Sequence, residues 1–151
     1  MQSDILLNMD CQKVTQLVLV DLSAAFDTVD HTILCDIMRG VYGISDCALN
    51  WIGSYLQSRS QRIKIDNAVS KTFSLDYGVP QGSCLGPVMF TQYASSIFEV
   101  IENHSKNGHG YADDHQIYSG CNPLSIDTAC ESMENCIANI SQWMQSMQLK
   151  F

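Results

Sequence analysis

Leu17-Val18-Leu19-Val20 is an unbroken apolar run that stops abruptly at Asp21. It predicts a strand buried on both faces. Residues 4–9 read as the end of a helix. Ile33, Leu34, Ile37, Met38 and Val41 recur at helical spacing and end at Gly43, and Leu49, Ile52 and Leu56 mark a second helix. Residues 62–66 and 71–75 alternate polar and apolar around Asp66-Asn67, which predicts a hairpin.

Residues 77–83 form a loop punctuated by Gly and Pro. One long helix then follows, with Phe90, Tyr93, Ile97, Val100 and Ile101 on its apolar face and Pro87 tolerable in its first turn. Residues 108–110 break the chain. Two short strands, 110–112 and 116–119, flank Asp113-Asp114 at a turn. A last helix starts near Pro123 and turns Met133, Cys136, Ile137, Ile140, Met144 and Met147 to one side. This order predicts an α+β fold with an antiparallel sheet and helices on one face, compatible with a ferredoxin-like split βαβ core. No repeat, low-complexity tract or linker interrupts it, so residues 1–151 read as one domain, cut at its ends.

Composition narrows the function. Of 151 residues, 46% are hydrophobic and 16% charged, which excludes general disorder. Eight basic and sixteen acidic residues leave a net charge of −8. Nucleic-acid binders carry a basic face. Here any such role must rest on metal ions or on residues outside the chain. Cys11, Cys35, Cys47, Cys84, Cys121, Cys130 and Cys136 form no CxxC pair and have no His at zinc spacing. They predict buried free thiols in a reducing, intracellular compartment. No run nears the roughly 18 apolar residues of a membrane span, and no secretory signal is visible.

Asp21, Asp113 and Asp114 are carboxylates placed where strands end or turn. Bringing them together is unfavourable unless a cation reverses the sign. Hard carboxylate oxygens suit Mg²⁺, and two such ions about 4 Å apart can hold both oxygens of an in-line phosphoryl displacement. An Asp pair at a turn is otherwise ordinary.

Three strings carry more. The chain reads Leu19-Val20-Asp21-Leu22-Ser23-Ala24-Ala25-Phe26-Asp27-Thr28-Val29-Asp30-His31, then Gly78-Val79-Pro80-Gln81-Gly82-Ser83-Cys84-Leu85-Gly86-Pro87, then Tyr111-Ala112-Asp113-Asp114. In this order and spacing they resemble motifs A, B and C of reverse transcriptases. The wording, with Leu49-Asn50-Trp51-Ile52, Ser54-Tyr55-Leu56, Gln142-Trp143-Met144 and Leu149-Lys150, resembles the non-LTR (LINE-type) retrotransposon enzymes, especially the jockey-like branch.

The resemblance implies a polymerase palm. Asp21 and Asp113 would bridge two Mg²⁺ ions (Mn²⁺ as a substitute), Asp114 would face the primer-side ion, and the Leu22 carbonyl would serve the nucleotide-side ion. Phe26 matches the family's sugar gate, and Gln81 and Gly82 would lie beside the nucleotide and template base. The implied partners are an RNA template, a DNA primer and dNTPs, with no membrane and a nuclear setting for the intact protein. Fingers, thumb and endonuclease regions of that branch would lie outside this chain and would supply the missing cations.

Other readings stand beside these. Phe26 also suits ordinary core. Asp30, just before Ile33, is a helix N-cap. Asp27 reads as a loop residue, His115 as a surface residue and Lys150 as a solvated one. The runner-up enzyme is an RNA-templated RNA polymerase or nucleotide cyclase, against which Phe26 argues. The rival from another class is a catalytically inactive, element-derived remnant that binds metal or a partner.

Overall fold

Apolar alternation and capping set the elements in the computed structural model, which describes residues 2–149. Helix α1 (Gln2–Asp10) leads into strand β1 (Val14–Val20). Helices α2 (His31–Gly40) and α3 (Asp46–Leu56) follow, then the short strands β2 (Arg59–Gln61), β3 (Lys64–Ile65), β4 (Ala68–Val69) and β5 (Phe73–Leu75). Helices α4 (Gly86–Ala94) and α5 (Ile97–Asn103), strands β6 (Asn107–Tyr111) and β7 (Asp114–Cys121), and helix α6 (Ile126–Ser146) complete the order. The chain packs as two units. One joins the residues up to Ser23 with those from Ala94 onward, and the other runs from Ala24 to Tyr93.

The first unit is built on an antiparallel sheet of order β1-β7-β6. Val14 pairs with Cys121 and Val20 with His115, which fixes the face to which each side chain between them points. Val18, Val20, Ile117 and His115 point inward. Leu17 and Leu19 point outward. On the inner face, the Phe98 ring of α5 meets His115, and Cys130 of α6 accepts from Gln16. α6 turns Met133, Cys136, Ile140 and Met144 into the core beside Ile97 and Ile101. This mixed, antiparallel architecture is the α+β fold expected.

The second unit packs α2 on α3 through Leu34, Met38, Leu49, Ile52 and Leu56. Asp30 caps α2 as predicted: its Oδ1 accepts from Thr32 N at 2.8 Å and Ile33 N at 3.0 Å. The expected hairpin turns at Asp66-Asn67 between β3 and β4, and β2 with β5 extends it.

Several details differ from expectation. Leu17 and Leu19 of β1 stand 42% and 68% exposed, so its apolar run is not buried on both faces. α1 lies on the face opposite α5 and α6, where Asn8 donates to Thr15 and Asp4 accepts from Tyr118, so helices occupy both faces. The single long helix is two, α4 and α5, split at Ser95-Ser96. Paired serines disrupt a helix, and Ser96 instead accepts a hydrogen bond from Trp143 Nε1 at 2.9 Å. β6 begins before Gly108. That glycine is a packing position: an added Cβ would meet Ile101 at 3.0 Å and Phe98 at 3.3 Å. The turn is Ala112-Asp113, one residue earlier than predicted, with Ala112 at φ +54 and Asp114 opening β7. The cysteines are free, but Cys11, Cys47, Cys84 and Cys130 are exposed and Cys136 alone of the seven is buried. Lys150 lies outside the described residues.

Among the described residues, Gln16 Oε1 and Ser119 Oγ are buried without a hydrogen-bond partner. They belong to one cross-strand pair. A buried hydroxyl without a partner costs free energy. Ser119→Ala should therefore raise stability by about 1 kcal/mol, read as a higher urea midpoint at unchanged m-value.

Candidate active site

The predicted site residues fall into two groups, one in each unit. Asp21, Leu22, Asp113 and Asp114 belong to the first. Asp21 directly follows Val20, whose partner is His115, and Asp114 directly precedes His115. Continuing that register by one step sets Asp21 across from Asp114. The β6–β7 turn thus brings Asp113 and Asp114 to the sheet end at which β1 releases Asp21. Leu22 has its side chain buried at 3% exposure, which anchors the backbone just beyond Asp21.

His115 anchors the acid turn from behind. It was expected at the surface, yet it is 3% exposed, because the register places it opposite Val20 on the inner face. Its Nδ1 donates to the Asp113 carbonyl at 3.1 Å. Burial pushes the imidazole pKa down, and the hydrogen bond to Asp113 and the charges of Asp113 and Asp114 oppose that shift. No adjacent-residue pattern marks a histidine as inward-facing before the strand pairing is known.

The acids fit a hard divalent cation by donor chemistry: three carboxylates at one sheet end, with no Lys or Arg ion-paired to them among the described residues. Among those residues, no group of three or more His, Cys, Asp or Glu side chains is gathered closely enough to hold an ion.

Phe26, Gln81 and Gly82 belong to the second unit, where two loops are locked by their backbones. Gly78 N donates to Val29 O and Val79 N to Phe26 O, each at 2.8 Å. The Gly78 carbonyl accepts from His31 Nε2 at 2.8 Å and from Arg59 Nη1 at 2.9 Å. Sequence reasoning gave no role to His31 or Arg59, since neither spacing nor composition ties them to Gly78. Gln81 Nε2 donates to Asp27 Oδ1 at 3.0 Å, a second tie between the loops. Ser83 Oγ donates to Pro80 O and accepts from Gly86 N, closing the loop onto α4.

Phe26 is half-buried and stacks on the buried Phe90 ring, with centroids 5.0 Å apart. One side of the ring is therefore held by core and the rest stays accessible. Gln81 and Gly82 are exposed. Gly82 sits at φ +74 with open space around it. Tyr93 is fully buried, and burial pushes its phenol up to about 12, while the hydrogen bond from Asp30 N opposes this.

Comparison with known proteins adds the decisive observation. Residues 3–151 match the family described as reverse transcriptase (RNA-dependent DNA polymerase). The chain belongs to the reverse transcriptase family. A curated relative, the "Probable RNA-directed DNA polymerase from transposon BS" of Drosophila melanogaster, is 23% identical over 146 residues. That alignment covers 93% of this reverse transcriptase chain and 16% of the relative, so the chain spans under a fifth of the relative's length. The family is thus shown over almost the whole chain. No helix among the described residues is long and apolar enough to cross a membrane.

The Gly78 lock yields a sharp contrast. Gly78 is at φ +84, and a Cβ there would lie 2.9 Å from the backbone of Phe26 and Asp27. Gly78→Ala should cost about 3 kcal/mol or more, since strain and a backbone clash combine. Gly82→Ala meets no atom within 4 Å and should cost only about 1 kcal/mol, for left-handed strain alone. Urea unfolding of the two variants checks both; equal losses would mean that the close approach at Gly78 is not what holds the loops.

Proposed function

We propose that this chain is the palm of a non-LTR retrotransposon RNA-directed DNA polymerase, with a ferredoxin-like split βαβ core. The substrates are an RNA template, a DNA primer and deoxynucleoside triphosphates. The observation that supports this most directly is the sheet register, which carries Asp21 and the Asp113-Asp114 turn to one end in a chain of this family.

Asp21, Asp113 and Asp114, with the Leu22 carbonyl, are the groups that would hold two Mg²⁺ ions. When bound, such ions neutralise and orient the attacking and leaving oxygens of a phosphoryl displacement. In that displacement the primer 3′-oxygen forms a bond to the α-phosphorus of the nucleotide, and the bond to pyrophosphate breaks. The chain's own side chains position the substrate. Phe26, backed by Phe90, presents a ring edge that a 2′-hydroxyl would strike. Gln81, tied to Asp27, and Gly82, with no Cβ, allow close approach of base and sugar. The net charge of −8 opposes steering of nucleic acid, so grip on the phosphate backbone comes from the rest of the parent polypeptide.

Primer extension by the full parent polypeptide, with Mg²⁺ and an RNA template, tests the reading. Asp113→Asn should lower extension by about a hundredfold or more, as for loss of a group that stabilises developing charge. Extension at wild-type level in that variant sinks the proposal.

Sugar choice is a separate test. Phe26→Val should lower the ratio of kcat/KM for a dNTP over its rNTP by about tenfold or more, because the ring edge is removed while the acids are untouched. An unchanged ratio assigns Phe26 to the Phe90 core alone.

A further inference from the structure

The Gly78 carbonyl and the Val79 N–H belong to one peptide group, and both of its polar ends are occupied. Val79 N donates to the Phe26 carbonyl at 2.8 Å. On the opposite side, the Gly78 oxygen accepts from His31 Nε2 at 2.8 Å and from Arg59 Nη1 at 2.9 Å. A trans peptide points its C=O and N–H in opposite directions, so whatever holds the oxygen also aims the N–H. Val79 is 1% exposed and Gly78 is buried beside it, and a buried carbonyl left without donors is costly. A glycine at φ +84 offers little resistance of its own to rotation of the next peptide plane. The donors, not the local backbone, fix its orientation.

The two donors come from different elements. His31 opens α2 and closes the string that carries Phe26. Arg59 opens β2 opposite Leu75 of β5, the strand that leads into the Gly78 loop. The guanidinium is always protonated, and among the described residues Arg59 has no ion pair. A charged donor on the carbonyl polarises the peptide and strengthens the bond that its N–H makes.

We propose that Arg59 is a positioning residue for sugar discrimination. It acts through the Gly78–Val79 peptide to hold the Phe26 backbone, and with it the ring, where a 2′-hydroxyl would strike. His31 is the second donor of the same clamp. This role rests on the reading of Phe26 as the sugar-facing ring. Phe26 is held at two points: Phe90 backs its ring, with centroids 5.0 Å apart, and Val79 N holds its carbonyl. Phe90 supports only one side of the ring, so the backbone hold decides how far the free edge reaches. A steric boundary of this kind is sensitive to small shifts. Other roles for Arg59 have different signatures. A guanidinium gripping the triphosphate would raise KM for both sugars alike when removed, and a merely structural one would lower both rates alike. Neither alters the ratio of the two.

Two measurements test the clamp. In the full parent polypeptide, Arg59→Met and His31→Leu should each lower the kcat/KM ratio for a dNTP over its rNTP by about fivefold or more, in line with one hydrogen bond to a buried carbonyl. His31→Gln, which keeps an N–H near the reach of Nε2, should restore most of it. With Phe26→Val already present, Arg59→Met should move the ratio less than about twofold, because both act through one ring. In the chain itself, amide exchange followed by NMR should show the Val79 N–H faster by about tenfold or more in Arg59→Met, beyond any change at the amides of the buried Leu34 and Leu56. If Arg59→Met does not fold, the two His31 variants decide on the same readouts. An unchanged ratio in Phe26→Val overturns the sugar gate and this role with it. A ratio lowered by Phe26→Val but not by Arg59→Met or His31→Leu overturns this role alone. So do effects that multiply in the double variant, a Val79 amide that exchanges no faster, and a His31→Gln variant that behaves as His31→Leu.

Discussion

A shift of one residue between β1 and β7 would turn Leu17 and Leu19 into the core and push Val18 and Val20 into water. At about 25 cal/mol per Å² of apolar surface, that exchange is heavily unfavourable, so the pairing of Val14 with Cys121 and Val20 with His115 is tightly held. Much of the first unit follows from it. The same register faces Gln16 with Ser119, sends His115 inward and releases Asp21 at the end where the β6–β7 turn begins. The acids are thus placed by apolar residues that take no part in chemistry. Carboxylates repel each other, and the placement of Asp21, Asp113 and Asp114 at one sheet end is held by burial elsewhere on the strands.

The second unit uses a different constraint. Its two loops are held by main-chain hydrogen bonds that converge on Gly78, with His31 and Arg59 both donating to one carbonyl. Backbone contacts of this kind depend little on the side chains of the loops themselves. Phe26, Gln81 and Gly82 can therefore remain wholly or partly accessible while the chain on either side of them is fixed. Rigidity and exposure are usually opposed in a loop; here a glycine that permits a 2.9 Å approach reconciles them.

Local chemistry was legible in the sequence, and long-range consequences were not. Asp30 was readable as a cap because its acceptors' donors lie two and three residues away. The α6 face was readable from its spacing, and the three motif strings from their order. The helix break at Ser95-Ser96 was missed because Ser96 serves Trp143, 47 residues later. Gly108 read as punctuation, since nothing nearby shows that Phe98 and Ile101 will lie against it. His115 read as exposed because its burial depends on Val20, 95 positions before it. The exposed thiols were misjudged for the same reason: an apolar face in sequence need not meet a partner. The acids of the candidate site were visible from residue type and position, but the His31 and Arg59 ties to Gly78 exist only through folding.

The hairpin that bears Asp113 and Asp114 has unequal legs. β7 is fastened by Ile117 and Tyr118, both in the core, and by His115. β6 reads Asn-Gly-His-Gly-Tyr, so two of its five positions have no side chain, and Tyr111 is 85% exposed. Besides its bonds to β7, it is kept flat by Phe98 and Ile101, which belong to α5, a helix of seven residues. The acid turn is therefore a stiff lever on one side and a compliant one on the other. A small displacement of α5 would load the turn through Ala112, while the His115 bond to the Asp113 carbonyl holds Asp113, like Asp114, to β7, so the strain falls on the one residue between the two strands.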